Sequence, residues 1–226
     1  MKRVPWARHA QRLVVSGQTE GRVLAGVVDT AAATLSQGRN IASEPRDDLV
    51  FDKVRCSAFG TLPVAGPNAV KTYGALARAV AIAGAAESVL DQSVQYAKDR
   101  VQFGRPIGKF QAVQHLLAEL ACETAAASMA ATTACQRAGS TRDVLDIAAA
   151  KVRAGDAANH AARIAHAVHA AIGFTHEHTL HFGTRRLWSW RSEFGNEAFW
   201  ARELGLAAIK GKRRNFWRDM TAPVSA

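Results

Sequence analysis

Residues 96–120 read YAKDRVQFGRPIGKFQAVQHLLAEL, and this stretch constrains the chain more than any other. A charged turn, Lys98-Asp99-Arg100, is followed by Gly104, Pro106 and Gly108. Glycine and proline this dense cannot sit inside a helix, because proline lacks a backbone donor and glycine loses the most entropy on ordering. One helix must therefore end near Arg100 and a second must open near Lys109. Arg100, Gln102 and Gln111 are then presented at a joint between two helices rather than along an exposed face. That arrangement suits gripping a phosphate or a heterocycle.

Alanine is abundant from Ala75 onward, and alanine enters a helix at the least cost. Apolar residues at helical spacing (Leu76, Val80, Val89, Leu90, Val94) predict a first helix from about Pro67 to Arg100, with Pro67 in its first turn. A second is predicted over about Lys109–Arg137, ended by Gly139-Ser140-Thr141. A third, capped by Ser140 or Thr141, runs over about Arg142–Ala170. A shorter helical segment over about Glu177–Leu187 and a last helix near Glu197–Lys210 follow. Residues 1–62 read instead as β: Arg12–Val15 and Arg22–Asp29 flank a turn at Gln18–Gly21, and Leu49–Val54 alternates apolar and polar. About three strands are too few to close a sheet. The expected fold is mainly α: a partial β-domain over 1–62, then an antiparallel helical bundle over 63–226.

The formal net charge of +10 favours anionic ligands, with one basic concentration at Lys210–Arg214. No zinc-ligand spacing or RNA-binding signature accompanies that run, so nucleic acid is not the expected partner. Cys56, Cys122 and Cys135 form no Cys-x-x-Cys pair and read as small buried hydrophobes of a reduced, cytoplasmic protein. No membrane span is expected, and residues 1–13 lack the apolar core of a signal peptide. His160, His166, His169, His176, His178 and His181 read as structural or surface histidines, with no metal expected.

The Asp99-Arg-x-Gln-Phe-Gly104 sequence, with Phe110-Gln111 and Leu117-Ala-Glu119 at their offsets, closely resembles a signature of the acyl-CoA dehydrogenases. Ala170-Ala-Ile-Gly-Phe-Thr-His-Glu-His178 resembles that family's Gly-Gly-x-Gly-Phe-Thr-x-Glu-His turn, and residues 49–55 resemble the end of its middle β-domain. The resemblance covers nearly the whole chain. It implies FAD-dependent α,β-dehydrogenation of an acyl-CoA thioester in lipid or steroid side-chain β-oxidation, with a glutamate as base. It implies an electron-transferring flavoprotein as redox partner. It also implies a homo- or hetero-oligomer in which the ADP half of each FAD is held by a neighbouring subunit's bundle. The family's N-terminal helical domain and first β-strands have no counterpart in these residues. The expectation is therefore an earlier start, a fragment, or a degenerate partner subunit.

Carried over position by position, Arg100 matches the arginine on the FAD pyrophosphate, a role suited to a guanidinium that meets two oxygens at once. The alternative is an arginine that only meets the helix dipole. Gln102 and Phe103 match neighbouring FAD contacts, although Phe103 would equally serve as a core plug behind the bend. Phe110 and Gln111 match the adenine side. Where the family has two glycines, this chain has Ala170 and Ala171, and Ala167 replaces a common glutamine. Two added methyl groups narrow a close-approach site.

The base position departs further. Counted without gaps, the glutamate of the family's Glu-Gly-Thr sequence falls on Phe194, before Gly195. Glu193 stands one residue early and is the only catalytic candidate. The alternative family position on the first bundle helix is Gly74, beside Ala75. These departures keep two readings open: a dehydrogenase polypeptide, or a non-catalytic partner subunit that contributes to another subunit's FAD site. Trp188, Trp190, Phe194, Phe199, Trp200, Phe216 and Trp217 make the C-terminal end aromatic, as packing for the last helix or as a subunit interface.

Overall fold

The computed structural model describes residues 1–20, 22–61, 68–140, 143–210 and 221. Pro67, Thr141, Arg142, the basic residues Lys212–Arg214, Phe216, Trp217 and the Gly21 end of the first turn lie outside the described residues. The chain divides into two compact units, Met1–Lys71 and Thr72–Ala226.

Among the described residues the first unit holds six strands: β1 (Val4–Pro5), β2 (Arg12–Thr19), β3 (Arg22–Asp29), β4 (Thr34–Ser36), β5 (Arg46–Val50) and β6 (Ala58–Thr61). Two three-stranded sheets form, in the orders β2-β3-β6 and β1-β5-β4. β2 and β3 make an antiparallel hairpin in which Arg12 faces Asp29 and Thr19 faces Arg22. The alternation over residues 49–54 predicted a strand there, but β5 runs over Arg46–Val50 instead. The reason is that polar residues occupy its inward positions. Asp47 is fully buried and accepts bonds from the backbone N–H of Arg8 (2.9 Å) and Gly38 (3.1 Å) and from the Arg8 guanidinium. Those bonds, the Arg8 side chain foremost, hold its carboxyl down at about 2. A buried carboxylate this well partnered holds strand to loop, and hydrophobic periodicity does not register it.

Among the described residues the bundle is built on α1 (Ala69–Asp99), α2 (Gln111–Gln136), α3 (Asp143–His169), α4 (Leu180–Ser192) and α5 (Glu197–Lys210). Two-residue strands β7 (Val101–Gln102) and β8 (Arg105–Pro106) lie between α1 and α2. α3 is the central element, packed against α2, α4 and α5. Its small side chains make that possible: Ala148, Ala150, Ala154, Ala157, Ala158, Ala161, Ala162 and Ala165 are all buried, so neighbouring backbones approach closely. Ile82, Leu120, Ile147, Ile164, Leu180 and Leu187 fill the remaining volume, each worth about 1.5–3 kcal/mol of burial.

Two expectations change. All three cysteines are exposed, because each falls on an outward position rather than in the alanine-lined core. α1 is also long and apolar enough, by length and composition, to cross a membrane. Its apolar stripe is spent on the bundle, with Ala75, Ala79, Ile82, Ala86 and Val89 fully buried.

Candidate functional site

Helix α1 stops where the sequence demands it. Gln102 pairs with Arg105 across β7 and β8, and the tip residues Phe103 (φ +51°) and Gly104 (φ +75°) are both left-handed. That is the backbone of a tight two-residue hairpin, which glycine adopts freely and phenylalanine does not. The Ile107 N–H donates to the Arg100 carbonyl at 2.8 Å and closes the joint before α2 begins. Gly108 eases a close approach here, since a β-carbon would come to 3.0 Å from the Ala97 carbonyl oxygen.

Behind this hairpin lies a cleft of about 590 Å³, lined by Tyr96, Arg100, Gln102, Phe103, Phe110 and the 167–172 segment. Its size falls within the range of small-molecule sites. The Arg100 side chain is exposed and makes no hydrogen bond or ion pair with any described residue, so it does not spend its charge on the α1 carbonyls. Phe103 is 92% exposed, which rules out the core-plug role, and it meets Phe110 edge-on at 6.1 Å between ring centroids. The Arg105 guanidinium lies over the Phe110 ring at 4.3 Å. Gln111 stands apart: it opens α2 and is not among the cleft-lining residues.

The opposite wall is the end of α3 and the short 3-10 turn after it, Ala170–Phe174. Ala170 has φ +52°, a left-handed conformation that costs a non-glycine residue about 1 kcal/mol. The turn thus keeps a glycine-type backbone while carrying a methyl group. Gly173 is retained for space, because a β-carbon would meet His169, Leu180 and His166 atoms at 3.0–3.2 Å. His169 is buried, stacks on Tyr96 at 4.4 Å, and its Nδ1–H donates to the Ala165 carbonyl at 2.8 Å. Burial lowers its basicity and favours the neutral ring. His166 is likewise lowered by burial and lies between Phe174 and Trp188, at centroid distances of 4.1 and 5.7 Å. Among the described residues, no group of three or more His, Cys, Asp or Glu side chains is placed to hold a metal ion.

A second constellation occupies the corner between α4 and α5. Phe194 (φ +56°) and Gly195 (φ +97°) turn the chain there. A β-carbon on Gly74 would lie 2.5 Å from Phe194 Cε1 and 2.7 Å from Cγ, so the ring fills the space above the helix glycine. The two positions considered for a base therefore face one spot, and an aromatic ring occupies it. Glu193 is turned into a different contact: its carboxylate accepts from Arg78 Nε at 2.7 Å and from the Ser189 hydroxyl at 3.4 Å. Both partners of the Arg78–Glu193 pair are largely buried.

The corner is fixed from several sides. Trp200 Nε1–H donates to the Phe194 carbonyl at 3.0 Å, and Arg191 pairs with Glu197 at 2.7 Å. Lys151 of α3 is fully buried and donates to the Arg191 carbonyl at 2.6 Å. Burial pushes its ammonium down to about 8, against the opposing pull of Glu197 and Glu193. Neither Arg78 nor Lys151 stood out in the sequence as a functional candidate. Lys151 was legible in one respect: it stands four residues after Ile147 and three before Ala154, on the core face of α3.

Residues 71–198 match the model of the acyl-CoA dehydrogenase C-terminal domain. The acyl-CoA dehydrogenase FadE34 of Mycobacterium tuberculosis is 32% identical over 220 residues, which is 89% of this chain and 31% of the relative. Acyl-CoA dehydrogenase IpdE2 of the same organism is 37% identical over 162 residues, covering 71% of this chain and 50% of the relative. The solved ChsE4-ChsE5 complex from M. tuberculosis shares the fold, with a TM-score of 0.83 at 21% identity, over 93% of this chain and 58% of that one. The chain spans about a third to a half of these curated relatives. Members of the family are FAD-dependent. With the family model matched over more than half its length, the chain belongs to the acyl-CoA dehydrogenase family.

Proposed function

We propose that this chain serves the α,β-dehydrogenation of an acyl-CoA thioester as a subunit without a base of its own, lending the ADP side of its bundle to an FAD seated in a partner subunit. The observation that carries this reading is the seat above Gly74, taken by the Phe194 ring, together with Glu193 engaged by Arg78. A base must reach the proton it removes at hydrogen-bond distance. A carboxylate already engaged by a largely buried guanidinium is turned away from such an approach.

The cleft fits the ADP half of FAD in one respect and is narrowed in another. Arg100 is exposed, has no side-chain partner among the described residues and lies beside aromatic surfaces, which suits a pyrophosphate next to an adenine. Gln102, Phe103 and Phe110 complete that wall, with Gln111 at the start of α2 as a more distant candidate. The Ala170 and Ala171 methyl groups stand on the facing wall, which favours a shared cofactor over one bound tightly by this chain alone. When bound, FAD supplies the acceptor for the substrate's β-hydride; this chain's residues bind and orient. An electron-transferring flavoprotein would reoxidise the assembled enzyme, and a bulky or steroid-like acyl group is the proposed substrate class.

The test is assembly. The chain alone should purify colourless, and with a base-bearing family subunit it should form a yellow complex whose flavin content falls on Arg100→Ala. Yellow protein from the chain alone, reducing an electron acceptor with acyl-CoA and losing that activity on Glu193→Gln, would overturn the proposal.

A further inference from the structure

One ring in the wall of the cleft carries a polar atom with nothing to bond. His169 is 1% exposed and packed between two rings, Tyr96 stacked on it at 4.4 Å and His178 edge-on at 4.7 Å. Its Nδ1 faces the Ala165 carbonyl at 2.8 Å, and a carbonyl only accepts, so the proton sits on Nδ1. Burial disfavours a second proton on the ring. Nε2 is therefore a bare lone pair, buried without a partner. Such an atom destabilises the fold, and a phenylalanine would fill the same stack without it. His169 lines the cleft together with Tyr96 and Arg100. Tyr96 is only partly buried and lies over the histidine, so a turn of its ring is the movement a ligand needs to reach Nε2.

We propose that His169 Nε2 accepts a hydrogen bond from the nucleoside half of the ligand held in this cleft. The inference rests on the reading of the cleft as the ADP side of a cofactor site, and it adds the residue that reads the nucleoside. The division between the two polar residues follows from their charge. A pyrophosphate presents acceptor oxygens, which suit the Arg100 guanidinium and are repelled by a lone pair. The adenine amine and the ribose hydroxyls are the donors of an ADP group, and either meets the requirement of Nε2.

The experiment varies the donors one class at a time. Ligand-observed NMR titration of the full chain compares ADP with purine riboside diphosphate, which lacks the amine, and with 2′,3′-dideoxy-ADP, which lacks both hydroxyls. ADP should bind about tenfold more tightly than one of these analogues. A weaker purine riboside diphosphate assigns the donor to the amine, and a weaker dideoxy nucleotide assigns it to the ribose. His169→Phe keeps the ring stack and removes the lone pair. It should erase that preference and lower ADP affinity about tenfold, while inorganic pyrophosphate stays within about twofold of its affinity for the unaltered chain. Equal affinities for the three nucleotides, or a preference that survives His169→Phe, would overturn the proposal. The comparison on the unaltered chain stands whether or not the variant folds. Failure of every nucleotide to bind would remove the ADP reading of the cleft along with this one, whereas equal binding would remove the role of His169 alone.

Discussion

The Phe194 ring lies where a β-carbon on Gly74 would have to go. Two positions 120 residues apart in the sequence are thereby coupled: a larger side chain at 74 has no room while Phe194 is present, and Phe194 needs a glycine beneath it.

Glu193→Gln follows from its contact with Arg78. The change removes the charge that neutralises a guanidinium only 16% exposed. Breaking a buried pair from one side costs about 3 kcal/mol. Denaturant unfolding of the chain should show that loss. On the proposed reading, in which Glu193 is not the base, dehydrogenation by an assembled enzyme should stay within a factor of two of the unaltered complex once stability is allowed for.

At the cleft, Arg100→Ala should weaken ADP or FAD binding to the assembled complex by about tenfold or more, in line with about 1.5–3 kcal/mol for a charge-assisted bond. Arg100→Lys should recover only part of it, because an ammonium cannot meet two phosphate oxygens in a plane. Flavin fluorescence titration separates the three proteins.

Ala170→Gly should stabilise the free chain. Glycine relieves a left-handed conformation at about 1 kcal/mol, an upward Tm shift of about 2–4 °C, offset in part by the greater entropy of the unfolded glycine chain. Adding Ala171→Gly should widen the cleft and tighten ADP binding without raising stability further. A drop in Tm for the single variant would argue against the strain.

Lys151 makes stability depend on pH in the alkaline range. Its folded value of about 8 lies below the ordinary 10.5, so between those limits the unfolded chain binds more protons than the folded one. Stability should therefore rise with pH across that window, by about 3 kcal/mol in all. Lys151→Met should remove this rise while also leaving the Arg191 carbonyl without its donor. Urea midpoints at pH 7.5 and 10.5, taken as the difference between the two proteins, test the slope.

Helices were legible because their signals are local. The glycine and proline run at 104–108 set the α1–α2 joint within two residues, and α5 appears at the bounds its pattern suggested. The β unit was less legible, because Asp47 and Arg46 are buried through ion pairs that a polar reading assigns to the surface. Of the candidate site, Arg100 and its hairpin could be read from the motif. The Gly74–Phe194 seat and the Arg78–Glu193 pair could not, since both join residues more than 100 positions apart and exist only after α1 packs beside the α4–α5 corner.

The sheet β2-β3-β6 carries one further consequence. Its outer strand β2 is eight residues long and, among the described residues, is paired only with β3. Val14 on β2 and Phe59 on β6 are largely exposed. An uncovered edge beside apolar side chains is a template for a second chain. At high concentration and without a companion polypeptide, the material should therefore precipitate or form sheet-linked aggregates. The isolated chain should therefore be kept dilute while its flavin content is measured, and compared with the co-expressed complex.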